Sequence, residues 1–163
     1  MPVLPNLLER TILITLNRGP GPMMDLIGGI AFHALATAVK LGVFEAIGMD
    51  RLTTDEAAQR ISADPRATGM LLDVLEAMGY VERKDGHYAN TRMTVKWMLE
   101  SSPNSLACMI SWMQGALDRW KYLGDTIQEG RPPMLALEWM DLHPGSWRDY
   151  QQIMIGMAHS CME

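Results

Sequence analysis

Four histidines, two cysteines and two glycine clusters are the residues whose chemistry could reach furthest, and their spacing decides what each can do. His159 and Cys161 stand two apart, with His33, His87 and His143 scattered elsewhere. A helical step of two points side chains in different directions, and no second pair matches the first, so the pattern falls short of a zinc site. Nucleophilic catalysis needs a Cys or Ser beside an activating base, and no spacing marks one. Gly28-Gly29 and Gly19-Pro20-Gly21 follow no strand, as a phosphate or dinucleotide loop must. No catalytic, metal-binding or cofactor-binding motif is therefore expected in these residues.

Composition narrows the partners. A chain of 163 residues suits one domain that buries roughly 70% of the surface its unfolded form exposes, without disulfides. A net charge of −5 is a poor electrostatic start for a partner carrying phosphates, so neutral or hydrophobic partners fit better than nucleic acid. The start Met1-Pro2-Val3-Leu4-Pro5 lacks a basic leader, and no run reaches the ~18 uninterrupted apolar residues of a membrane span. Cys108 and Cys161 in apolar surroundings suit a reducing cytoplasm, with no disulfide expected between them. Methionine is unusually abundant, at 15 residues, and seven of these lie after Cys108; such clusters suit either an irregular core or a pocket that adapts to apolar ligands.

The elements that must position these residues are mostly helical. Asn6 and Glu9 form a capping box for a short amphipathic helix to Asn17, ended by Gly19-Pro20-Gly21-Pro22. Leu26, Ile30, Ala34, Leu35, Ala38 and Leu41 give a second helix with one apolar stripe, closed by Gly42, and Val43 to Ile47 form a brief helical turn closed by Gly48. Thr53 with Glu56 caps a helix through Ile61, and Asp64 caps another whose first residue is Pro65. In the latter, Ala67, Met70, Leu71, Val74, Leu75 and Met78 fall at the spacing of one buried face. Tyr80 to Arg83 and His87 to Asn90 flank Asp85-Gly86 as a two-strand hairpin.

Thr91 restarts helix through Leu99, and Ser102-Pro103 opens a long helix in which Leu106, Ile110, Met113, Leu117, Trp120 and Leu123 share a face. Gly130-Arg131-Pro132-Pro133 breaks it, a looser stretch runs to His143-Pro144-Gly145, and Ser146 caps a last helix carrying Trp147, Tyr150, Met154, Met157 and Cys161. The class is all-α with a small β-hairpin wing, in a winged-helix-like order with added helices. That order suggests DNA with Asp64 to Met78 as the reading helix, yet there Arg66 is outnumbered by Asp64, Asp73 and Glu76, and only Arg83 and Lys84 of the wing are basic.

Leu41-Gly42-Val43-Phe44-Glu45-Ala46-Ile47, Leu52-Thr53-Thr54-Asp55-Glu56-Ala57-Ala58, Asp64-Pro65-Arg66-Ala67, Leu71-Leu72-Asp73-Val74-Leu75 and Met78-Gly79-Tyr80-Val81 stand in one order. Together they resemble the N-terminal dimerisation region of S-adenosylmethionine-dependent O-methyltransferases of the plant caffeate and flavonoid and bacterial polyketide and hydroxyneurosporene type. The resemblance extends through Tyr88 to Thr91, Trp120 to Gly130 with Arg131-Pro132, and Tyr150 to Ser160.

It implies a winged-helix dimerisation core over residues 23–99, preceded by an N-terminal arm and linker over 1–22. Residues 100–163 would supply the acceptor-pocket wall and the start of the connection to a C-terminal cofactor domain. That domain, which in the family binds S-adenosylmethionine and carries the catalytic His, is expected to be missing here, so the chain alone is expected to hold no cofactor and to be inactive. Implied partners are a second copy of the chain and a small, apolar, hydroxylated acceptor, with no nucleic acid and no membrane. The resemblance places Leu117, Trp120 and Met154 at the acceptor, with Tyr150 where the family has Phe, and Met113 and Met157 one turn away. The alternative is a stand-alone winged-helix ligand-sensing or transcriptional regulator, and a third reading is a regulatory partner that forms mixed dimers with a full-length methyltransferase.

Overall fold

The computed structural model describes residues 11, 21–117, 119–143 and 145–160. The N-terminal helix expected over residues 6–17, apart from Thr11, and Cys161 lie outside the described residues. The described residues are mostly helical, with a two-strand antiparallel hairpin. It divides into two compact units, residues 1–95 and 96–163.

The first unit begins with α1 (Gly21–Lys40), followed by α2 (Val43–Ile47), α3 (Thr54–Arg60) and α4 (Pro65–Ala77). Local chemistry sets these boundaries. Gly42 takes the left-handed conformation at φ 69°, which a side chain would oppose, and so turns the chain from α1 into α2. The Thr53 Oγ1 accepts from the Glu56 amide at 3.3 Å while Glu56 Oε2 accepts from the Thr53 amide at 2.8 Å, the reciprocal capping box that starts α3. The Asp64 carboxylate accepts from the Ala67 amide at 2.8 Å, with Pro65 pre-set at the first helical position of α4.

The hairpin follows as β1 (Val81–Lys84) and β2 (His87–Asn90), pairing Val81 with Asn90 and Lys84 with His87. Asp85 and Gly86 both have positive φ, 51° and 77°, the turn whose twist matches a two-residue hairpin. Leu52 adds a bridge to Tyr88 through both backbone bonds, 3.0 and 2.7 Å, a third short pairing that no alternation around Leu52 announces. Asn90 Nδ2 donates to the carbonyls of Phe44 and Gly48 at 2.8 and 2.9 Å, tying the hairpin to α2.

The core lies between α1, α2, α4 and the hairpin. Phe44, Ile47, Leu72, Leu75, Val43 and Val81 are fully buried, and the Phe44 and Tyr80 rings lie 5.9 Å apart. The expected face of α4 is partly rotated: its buried residues are Thr68, Leu72 and Leu75, with Met78 buried just past its end, while Met70 is 64% and Val74 42% exposed. α4 is apolar on two faces, so periodicity cannot say which one the core takes. In α1 the expected stripe is buried at Leu35 and Ala38, beside Ala31 and Ala36, whereas Leu26 and Ile30 lie in the exposed first half of the helix. α1 from Pro22 to Lys40 is, by length and composition only, apolar enough to cross a membrane, although Asp25 and His33 interrupt it.

Between the hairpin and the second unit runs α5 (Arg92–Trp97). The second unit comprises α6 (Ala107–Leu117), a 3-10 turn (Trp120–Tyr122), α7 (Leu123–Glu129), α8 (Ala136–Leu142) and α9 (Ser146–Ser160). The long helix expected from Ser102-Pro103 does not start there. Ser102 Oγ donates to the Lys96 carbonyl at 2.6 Å and Ser105 Oγ accepts from the Ala107 amide, so the segment is spent on turns and α6 begins at Ala107. Nor does it run on: the backbone tightens at Trp120, leaving Trp120 60% and Leu123 48% exposed rather than on a face shared with Met113. The stretch expected to be loose contains α8, whose start is held by Glu138 Oε2 accepting from the Leu135 amide at 2.9 Å. Leucine is not a capping residue, and this hid the start. α9 packs on α6 and α8.

Candidate functional site

Two features of the surface need a functional account. The first is the outer face of α1 and α4. Met23, Leu26, Ile27 and Ile30 of α1 are each at least 47% exposed, and Ala67, Met70, Val74 and Ala77 form an exposed apolar row along α4. The two helices pack against each other within the first unit. Exposed aliphatic residues in continuous rows are uncommon on a monomer and mark a surface that another body covers. The row also bears on nucleic-acid reading: α4 presents small and apolar side chains where a groove-reading helix presents amide and guanidinium groups. The basic wing is partly neutralised, since Arg83 donates to the Asp73 carboxylate at 3.1 Å and Tyr88 donates to the same oxygen at 2.7 Å. Burial, followed by that carboxylate, raises the Tyr88 phenol above its usual range, so it stays a donor.

The second feature lies in the second unit. Met113 and Leu117 are half-buried on α6, and Tyr150 and Met154 are exposed at 38% and 45% on α9, the helix packed beside it. Tyr150 meets Trp147 of its own helix at 6.4 Å between ring centres and Trp112 at 6.3 Å, an aromatic neighbour that spacing did not single out. Cys108 Sγ donates to Gln152 Oε1 across the same pair of helices at 3.6 Å. Trp120 stands apart on the 3-10 turn, and the side chain of Met157 lies outside the described residues.

Among the described residues, none of Met113, Leu117, Trp120, Tyr150 and Met154 lines a cavity of about 640 Å³ in this unit. Its walls are Arg119, Lys121, Tyr122 and Thr126 on one side of the sequence and Pro132 to Ala136, Trp139 and His143 on the other. Gly115 lies beside the Trp139 ring, where a Cβ would stand in ordinary contact at 3.5 Å. Trp139 in turn stacks on His143 at 4.0 Å and carries the Arg119 guanidinium 4.6 Å above its ring centre. The His143 Nδ1–H donates to the Trp139 carbonyl at 2.7 Å, so in the neutral ring Nε2 is the acceptor. Among the described residues no three His, Cys, Asp or Glu side chains gather to hold a metal.

Comparison with known proteins gives the first feature its context. The family described as O-methyltransferase dimerisation domain matches residues 24–101. Rat acetylserotonin O-methyltransferase is 28% identical over 106 residues, 64% of this chain and 24% of that protein. The 3-hydroxy-5-methyl-1-naphthoate 3-O-methyltransferase of Streptomyces sahachiroi is 30% identical over 86 residues, 52% of this chain and 25% of its own. Among solved structures, human N-acetylserotonin methyltransferase in complex with SAM superposes with a TM-score of 0.68 at 22% identity, covering 94% of this chain and 46% of that one. The chain thus spans about a quarter of the curated relatives it matches. Apart from Met23, the two exposed apolar rows fall inside residues 24–101, the segment that matches the O-methyltransferase dimerisation domain family.

Proposed function

We propose that this chain is the homodimerising, acceptor-binding part of an S-adenosylmethionine-dependent O-methyltransferase, with the cofactor and the catalytic base supplied by residues outside it. The observation that carries the reading is the exposed apolar surface of α1 and α4 within a dimerisation-family segment. In the winged-helix reading, the order from α2 to β2 presents helices to a second copy rather than to a groove. A C2 pair would place α1 and α4 of each copy against the same surface of the other. The apolar α1 is then an interface helix rather than a membrane span.

The acceptor is a small, apolar, hydroxylated molecule. The relatives act, by name, on acetylserotonin and on a hydroxynaphthoate, both hydroxylated aromatics. Met113, Leu117, Tyr150 and Met154, on the packed helices α6 and α9, are the described part of its wall, adaptable thioethers beside an aromatic ring, with Trp120 set apart from them on the 3-10 turn. In an enzyme holding this domain beside its cofactor domain, Met154→Trp impairs acceptor binding while leaving cofactor affinity and the fold unchanged; equal loss of both affinities counts against the assignment.

Sedimentation of the chain at low micromolar concentration tests the dimer. The wild-type chain is expected at twice its 18.2 kDa mass. Ile30→Asp, which puts a carboxylate on a residue already 60% exposed, is expected to shift it to a folded monomer. A wild-type monomer, or a dimer indifferent to Ile30→Asp, removes the reading.

A further inference from the structure

The exposed row of α1 carries a titratable group among its apolar neighbours. Leu26, Ile30, His33 and Thr37 follow one another at steps of four, three and four residues, so they form a single stripe along the helix, and all of them are exposed. Ala31, Leu35 and Ala38 take the far side of the helix into the core. His33 therefore lies on the surface that turns away from its own unit, one helical turn beyond Ile30. Its ring meets that of Phe32 edge-on, with the centres 6.3 Å apart.

The charges around it are few. α1 itself carries Asp25 and Lys40, and the two helices packed against it bring Glu45 on α2 and Arg66, Asp73 and Glu76 on α4. Among the described residues no ion pair joins any of these to His33, and the Asp73 carboxylate accepts from Arg83 and Tyr88. The exposed row of α4, formed by Ala67, Met70, Val74 and Ala77, holds no charge at all. An imidazole changes charge between pH 5 and 8, a range in which ordinary carboxylates, ammonium and guanidinium groups keep theirs. Desolvation against aliphatic side chains disfavours the charged form of any such group. A second copy laid on this stripe removes water from His33 and offers it apolar neighbours, so association selects the neutral ring.

We propose that pH sets the association of two copies through His33: the interface accommodates the neutral imidazole, and its protonation drives the copies apart. The inference rests on the dimer reading above. A C2 interface is isologous, so each dimer contains the group twice and both protons count. The separated chains bind the proton better than the dimer does. The dimer is therefore favoured as pH rises and lost as pH falls through the histidine range.

Sedimentation equilibrium of the chain at about pH 7.5 and about pH 5.5, either side of the ordinary histidine midpoint, is the test. The dissociation constant of the wild type is expected to be at least about tenfold larger in acid, against a ceiling of about a hundredfold per pH unit when two protons are taken up. Far-ultraviolet circular dichroism is expected to be the same at both values, so that the copies part without unfolding. His33→Asn and His33→Gln, which keep a polar side chain but cannot become charged, are each expected to dimerise equally well at both. His87→Asn, a change in the wing and off this stripe, is expected to keep the pH dependence of the wild type. An unchanged constant, tighter association in acid, a helical signal lost in step with dissociation, or a pH dependence that survives both His33 variants would each overturn the proposal while leaving a dimer at neutral pH standing. A chain that is monomeric at both values removes the dimer reading itself, and this inference with it.

Discussion

The two units of this chain place their large apolar side chains in opposite ways. All seven of the largest fully buried side chains, from Phe44 to Thr94, lie in residues 1–95. Among the described residues of 96–163 the buried apolar ones are Met98, Leu99, Ala107, Ala116 and Met140, while Trp120, Ile127, Leu135, Leu137, Leu142, Trp147 and Ile155 are exposed. The first unit closes a core on itself and also carries a second, exposed apolar surface on α1 and α4. The second unit holds its helices together with small residues and stacked rings, and turns its aliphatic residues outward. Stability and recognition are therefore separable in the first unit and entangled in the second.

That contrast is broken most directly at Phe44. Truncating a fully buried aromatic costs roughly 3–5 kcal/mol, so Phe44→Ala is expected to remove most of the first unit's stability in urea unfolding. Leu142→Ala removes as many carbons as many core changes do, yet at 65% exposure it is expected to stay within about 0.5 kcal/mol of wild type. Comparable losses in the two variants would mean that the second unit has a core of its own that its exposures conceal.

The same contrast governs how much was legible in the sequence. Wherever a boundary depends on local chemistry, as at Thr53 with Glu56, Asp64-Pro65 or Asp85-Gly86, the residues state the outcome and the coordinates repeat it. Faces are another matter. α4 is apolar on two sides, so Met70 and Val74 read as core beside Leu75 when they belong to the surface, and only packing brings Leu72 inside in their place. In the second unit, turns formed by Ser102 and Ser105 compete with helix, and α8 begins at a leucine, so local signals mislead there. The cavity was beyond sequence reasoning, because its walls come from two segments joined by the Arg119–Trp139 contact, which no spacing rule anticipates.

Smaller effects sharpen the comparison. Asp64→Ala deletes the side chain that accepts from the Ala67 amide, and is expected to cost about 1 kcal/mol, the usual value of a helix cap, read as a lower urea midpoint with unchanged slope. α4 carries both the core row and the exposed apolar row, so dimer formation is expected to weaken alongside stability. A variant that loses stability but keeps its dimer affinity would show that the two faces of α4 are less coupled than their shared backbone implies.

The smallest expected effect lies at Glu56. The Thr53 backbone amide, then the Thr53 hydroxyl, hold its carboxyl below the ordinary glutamate range. An acid whose folded value is depressed contributes stability above its unfolded value and loses it as pH falls through the folded one. The capping contribution of α3 is therefore fully present at neutral pH and disappears only in acid, below the pH at which an unconstrained glutamate takes up its proton. Glu56 is fully exposed, so the effect on unfolding is small and the titration itself is the sensitive readout. Carbon-13 titration of the Glu56 carboxyl is expected to place its midpoint below that of a free glutamate. Thr53→Ala keeps the backbone donor and loses the hydroxyl, so the midpoint should return part of the way. A Glu56 midpoint at the free value would mean that the capping box is not populated in solution, and that α3 is held by the burial of Ala57 and Ala58 alone.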